Sequence, residues 1–306
     1  MPWQETKLAL DLGSDFVYRS FTKLSKNIYV VRHPATFPIY WTHHAKTVVV
    51  DQVIAIVGGI DMTFGRYDTP EHRLADPCEL ATIWPGRDYY CPDLEVFCNT
   101  HAVPAMFTVD RLSVPRMAWH DISVAVTGNV AREVAFNFIQ RWQSHVADLG
   151  ITNVPLALPS LTEETLPIPE HLWDVEPGGP PVPVDCHPVR SLGVWSGSVR
   201  TERSYEAAYI NVISRAERFI YIENQYFVSL MQQTPGVPHN GLVSALHERI
   251  RRAILQRQMF RVIVLLPCHP EGPLTSASTL IVLSYEFDTI IRGPKSLLGE
   301  LSKEFP

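Results

Sequence analysis

Between Pro155 and Pro188 the chain carries nine prolines, with Gly178 and Gly179 among them. Proline has no amide hydrogen to give and fixes its own φ, so a run this dense holds neither a regular helix nor a central strand. A structureless connection of this length is uncommon inside one compact unit, and it marks a boundary. Three segments are therefore expected: a first lobe over 1–154, a proline-rich connection over 155–190, and a second lobe over 191–306. A length of 306 residues accommodates two such bodies.

The flanking segments alternate short apolar runs with amphipathic ones. Asn27 to Val31, Thr47 to Val50 and Val53 to Val57 are short and β-branched, which predicts strands. Asp121 to Val126 alternates polar and apolar residues and is a fourth. Asn129 to His145 is expected to be a helix that buries Val130, Val134, Phe138 and Trp142 as one stripe. Beyond the prolines, Glu202 to Arg218 predicts a helix with Ala207, Ile210 and Ile213 on one side. Phe219 to Glu223 predicts a strand, Gly241 to Gln258 a helix and Phe260 to Leu266 a buried strand. This alternation implies an α/β sandwich.

Chemistry concentrates at 41–61, WTHHAKTVVVDQVIAIVGGID. His44 and Lys46 are two residues apart, so on a strand they share a face. That pairing suits a phosphodiester: the lysine neutralises nonbridging oxygens, and the histidine attacks phosphorus or transfers a proton. Alone, a His-x-Lys pair is usually a solvated strand edge. The buried run behind it, Asp51 at fixed spacing, and the paired glycines Gly58 and Gly59 make this one more specific. Asp51 is expected to hold the local turn or hydrogen-bond network. A bulky side chain at Gly58 or Gly59 would obstruct close backbone approach.

These residues resemble the His-x-Lys-x4-Asp motif of the phospholipase D superfamily, with its trailing Gly-Gly-x-Asp that ends at Asp61. VRHP at 31–34, GGIDMTFGRYDTPEHRL, PRMAWHDISVAVTGNVAREVAFNFIQRW, WSGSVRTERSYEAAY and FIYIENQYF extend the likeness. Together they look like the eukaryotic phosphatidylcholine-hydrolysing enzymes, from about residue 15 onward. The resemblance implies a bilobal fold, with a histidine that attacks the lipid phosphate, expels choline and passes the phosphatidyl group to water or an alcohol. It puts His44 in the nucleophile position and Lys46 on the phosphate. It matches Asp121, in Trp119-His120-Asp121, to a carboxylate that orients the histidine. Gly58, Gly59 and Asp61 are expected to line the substrate site. Glu223, Asn224 and Gln225 end a second-lobe strand that lies close to the cleft in such proteins.

The pattern also departs from the family, whose site uses two His-Lys motifs. Of twelve histidines, only His44 has lysine two places on. The expectation is a first lobe that is complete, a second that is partial, and a phospholipase D truncated before its second motif and inactive or impaired on its own. Two other readings stay open: a noncatalytic lipid- or partner-binding remnant, and a phosphodiesterase or nuclease of the same superfamily. A net charge of −6 and a pI of about 6.0 argue against nucleic acid as partner. The expected partner is a phospholipid membrane surface, met peripherally from the cytoplasmic side. Five cysteines without a CxxC pair suggest neither a disulfide framework nor a zinc site. No cofactor or metal is required by this chemistry, because Lys46 supplies the charge. A regulatory calcium or phosphoinositide stays open.

Overall fold

A computed structural model describes residues 14–33, 43–76, 83–84, 88–90, 111–112, 114–155, 182–231, 239–267 and 277–306. Residues 156–181 of the proline-rich connection lie outside them. The chain divides into two compact units. The first is formed chiefly by residues before Pro188, with Leu192–Glu202; the second by Val189–Ser191 and Arg203–Pro306.

The first unit opens with a helix that the sequence reading did not anticipate, α1 (Ser14–Leu24). Asp15 stands in its first turn and Lys23 in its last, each favourable to the helix dipole. Arg32 ties the helix start down, with Nε donating to Ser14 Oγ at 3.0 Å. The strand expected over Asn27 to Val31 is corrected: this stretch is irregular and begins with a turn closed by Ile28 N–H on Ser25 C=O. Its apolar content serves a different purpose, since Val31 is buried against Trp142 and Val146.

β1 (Lys46–Val50) and β2 (Ile54–Gly58) form an antiparallel hairpin. β3 (Ser123–Thr127) pairs antiparallel with β2, which gives the order β1-β2-β3. Lys46 lies opposite Gly58, and Gly58 opposite Ser123, so three chemically distinct segments meet at one end of the sheet. α2 (Asn129–Asp148) packs across all three strands. The expected stripe of Val130, Val134, Phe138 and Trp142 keeps Trp142, and its other three positions are corrected by one residue. Ala131, Ala135, Ile139, Trp142 and Val146 are the buried apolar positions, and Phe138 is exposed. The small Ala131 and Ala135 let the helix approach Ala55 of β2, all three being buried to 1% or less; larger side chains turned inward would hold it off.

In the second unit, α3 (Ser204–Arg215) precedes β4 (Phe219–Glu223). α4 (Leu242–Leu255) crosses to β5 (Arg261–Leu265), which pairs parallel with β4. This is the βαβ connection that a parallel pair requires. α3 is shorter than expected at both ends, and Ala207 is exposed while Ile213 is buried. Two further helices, α5 (Ala277–Ile290) and α6 (Leu297–Glu304), complete the unit. Its core joins Ile213, Phe227, Val243, Leu246 and Leu297 to the inward residues Ile220, Ile222, Val262 and Val264. The alternate residues Phe219, Tyr221, Ile263 and Leu265 are at least half exposed, so one sheet face is apolar and open. No helix among the described residues is long and apolar enough to cross a membrane.

Candidate active site

The site is built where Lys46 and Gly58 face one another. His44 and Ala45 precede β1 rather than lie within it, and His44 is exposed. Alternation across the backbone sends its neighbour His43 inward, into a buried group of rings. Lys46 is held at two points. Its Nζ donates to the His44 carbonyl at 2.9 Å and lies 3.2 Å from Asp61 Oδ1. With its side chain only 13% exposed, the ammonium is confined to the sheet end beside His44.

Asp61 carries a second cation, Arg66, whose Nη1 lies 3.1 Å from Oδ2. The guanidinium is stacked 4.3 Å over the Trp119 ring. Asp61 was expected to contact substrate. Its contacts in the structure are with Lys46 and Arg66, two cations that it holds and orients.

The expected Asp121 stands across the strands. Its Oδ1 accepts from Gly59 N–H at 2.9 Å and from its own neighbour Ile122 N–H at 2.7 Å. The carboxylate thus fixes the backbone at the glycine pair. Both glycines are closely approached: a Cβ at Gly59 would displace the Asp121 carboxylate, and one at Gly58 the Ser123 side chain.

Asp51 stands apart from the others. It occupies the β1–β2 turn, where Asp51 and Gln52 have φ of 51° and 58°. Val53 N–H closes the turn on Val50 C=O at 3.0 Å. Paired positive φ angles suit a right-twisted hairpin, and Asp tolerates this region better than most residues. Five residues of extended chain put Asp51 about 17 Å from Lys46. Its place is that of a turn former.

Glu223, Asn224 and Gln225 belong to the second unit, at the end of β4. Asn224 N–H continues the ladder onto Leu265 C=O at 3.3 Å, and its Nδ2 donates to Tyr226 C=O. Glu223 accepts from Tyr221 OH at 2.8 Å, and Gln225 donates to Tyr226 OH at 3.2 Å.

The sequence reading missed the support behind Asp121. The Asp68 side chain is 8% exposed and accepts from Arg116, from Trp119 N–H at 2.7 Å and from Thr69 N–H at 2.7 Å, with His72 Nδ1 at 3.1 Å. Burial alone would raise its carboxyl, but the Arg116 guanidinium, the Trp119 amide and His72 outweigh burial and pull it down to about 2. His72 stacks on His120 with centroids 3.5 Å apart. The loop after the glycines is thereby tied to the strand that presents Asp121. GRYDTPEHRL and PRMAWHD hold all these residues, yet their mutual contact spans about fifty positions and leaves no local signal.

Comparison with known proteins places the chain in a family. A sequence model described as phospholipase D matches residues 15–292. Phospholipase D A of Dictyostelium discoideum is 38% identical over 304 residues, which cover 99% of this chain and 22% of that protein. Phospholipase D1 of Schizosaccharomyces pombe is 36% identical, covering 99% of this chain and 23% of that protein. Phospholipase D2 of Bos taurus is 32% identical, covering 98% and 34% respectively. The chain thus spans about a fifth to a third of the length of these relatives, and across nearly all of its own length it belongs to the phospholipase D family.

Proposed function

We propose that this chain carries the nucleophile half of a phospholipase D site that cleaves phosphatidylcholine to phosphatidic acid and choline. The observation that carries the reading is the exposed His44 beside a partly buried ammonium that is tethered at the same sheet end. A nitrogen of His44 attacks phosphorus, and the bond to the choline oxygen breaks. That oxygen takes the electron pair and a proton from an acid. Lys46 offsets charge on the nonbridging oxygens as it builds. Water then attacks the phosphohistidine, releasing phosphatidic acid and regenerating the imidazole. No metal enters these steps. The lipid is met at a membrane surface rather than from within it.

The test is trapping of a phosphoenzyme with phosphate-labelled phosphatidylcholine in vesicles. Acid-labile label that disappears in His44→Ala and falls strongly in Lys46→Ala is expected. A chain that binds vesicles but never takes up label would be a lipid-binding remnant. Salt-sensitive cleavage of DNA in place of lipid would make it a nuclease.

A further inference from the structure

Three histidines from distant parts of the first unit meet directly behind the nucleophile. His33 follows α1, His43 precedes the motif, and His145 lies on α2. The His33 ring is 4.5 Å from that of His43 and 4.2 Å from that of His145, both edge-on. Trp195 lies 5.0 Å from the His43 ring. His33 and His145 are fully buried. Arg141, one turn before His145 on α2, places Nη1 3.3 Å from His43 Nδ1. Ser196, buried in the turn after Trp195, places Oγ 3.2 Å from His43 Nε2. A guanidinium can only donate, so His43 Nδ1 accepts from Arg141, while Ser196 Oγ reaches both ring nitrogens and lies 3.4 Å from Nδ1 as well.

We propose that His43 is a positioning residue for His44. Clamped between Arg141 and Ser196 and bedded on His33, His145 and Trp195, it fixes the backbone so that the next side chain stands on the opposite, exposed face. The proposal rests on the reading of His44 as nucleophile. Electrostatics reinforce the clamp. Burial first, then His33, Arg141 and His145, push the His43 imidazole down to about 3. His145 is likewise lowered by burial, partly offset by Asp148 at 3.8 Å from its Nδ1. His43 therefore stays uncharged in neutral solution.

The donor atoms of the three rings lie within 4.8 Å of one another, a spacing that brings a metal ion to mind. A tetrahedral ion with bonds of about 2.0–2.1 Å needs its donors about 3.3 Å apart. It would also have to sit beside the Arg141 guanidinium, with His43 Nδ1 already engaged. That charge favours the clamp over a cation.

The test uses bis(p-nitrophenyl) phosphate, whose leaving group departs without being protonated. The intact chain should show a burst of nitrophenolate that His44→Ala abolishes. Arg141→Met and His43→Asn should slow the burst by about 10- to 100-fold with little change in KM, and Arg141→Lys should restore part of it. Burst rates equal to the wild type in folded Arg141→Met and His43→Asn would overturn the proposal. A wild type without any burst would instead count against the nucleophile reading, and imidazole nitrogen NMR then decides. Arg141→Met should raise the His43 titration and broaden the His44 signals; unchanged His44 signals would refute positioning. One-to-one zinc binding abolished by His145→Ala would make the cluster a metal site and overturn the proposal as well.

Discussion

Asp61 sits between Lys46 and Arg66 and acts on the site in two opposing ways. It orients Lys46, and under the proposed function it places a negative charge beside the phosphate. Asp61→Asn should therefore separate the two effects. Inorganic phosphate should inhibit the variant at several-fold lower concentration, because a repulsive charge is gone. Phosphoryl transfer should slow by about 3- to 10-fold, because the ammonium loses its fixed direction. Inhibition constants and single-turnover rates check both signs; tighter phosphate binding with a faster rate would show that Asp61 only obstructs. Gly59 constrains the same sheet end through its backbone. Its amide reaches Asp121, and a Cβ there would meet the carboxylate. Gly59→Ala should push Asp121 away and cost about 1–3 kcal/mol of stability, the usual range for overpacking. Urea denaturation would measure this, and the double variant Gly59→Ala, Asp121→Gly should recover part of the loss by making room.

Among the elements, the loop pinned by Asp68 carries the largest expected energy. Arg116 is fully buried and stacked over Trp84, with Asp68 as its ion-pair partner. Asp68→Asn would leave that guanidinium uncompensated, at a cost of about 3 kcal/mol, the low end for a broken buried pair. The low end applies because Arg116 also donates to the carbonyls of Arg73 and Met117. The native carboxyl is depressed to about 2. Its contribution is thus fully present above about pH 4 and is lost as the pH falls from 4 to 2. That window is worth about 2 kcal/mol by linkage. Urea midpoints at pH 5 and pH 3 should differ more for the wild type than for Asp68→Asn. The same elements show what a sequence discloses. The hairpin, α2, β4, α4 and β5 were legible because their periodicities are local. α1 was missed because its start depends on Arg32, and Asn27 to Val31 misled because its apolar residues fill a core without pairing. The register of α2 was off by one because alanines, weak hydrophobic signals, occupy its closest approach. His44 and Lys46 were legible as a motif. The Asp68 hub and the three-histidine cluster were not, since each joins segments far apart in the chain.

At the scale of the whole molecule, the decisive quantity is the proton that the leaving group needs. A choline oxygen leaves as a poor alkoxide unless an acid protonates it, whereas nitrophenolate leaves unaided. The only histidine followed two places on by lysine is His44, and it is engaged as the nucleophile under the proposed mechanism. General acid catalysis contributes about 10²- to 10⁴-fold. If no other group of this chain supplies the proton, phosphoenzyme formation should depend steeply on the leaving group. The rate with a nitrophenyl ester should exceed that with a choline ester by at least this factor. A series of phosphodiesters graded in leaving-group pKa would display it as a strongly negative slope. A shallow slope would mean that an acid is already in place. Candidates would then be sought by asking which variant steepens it.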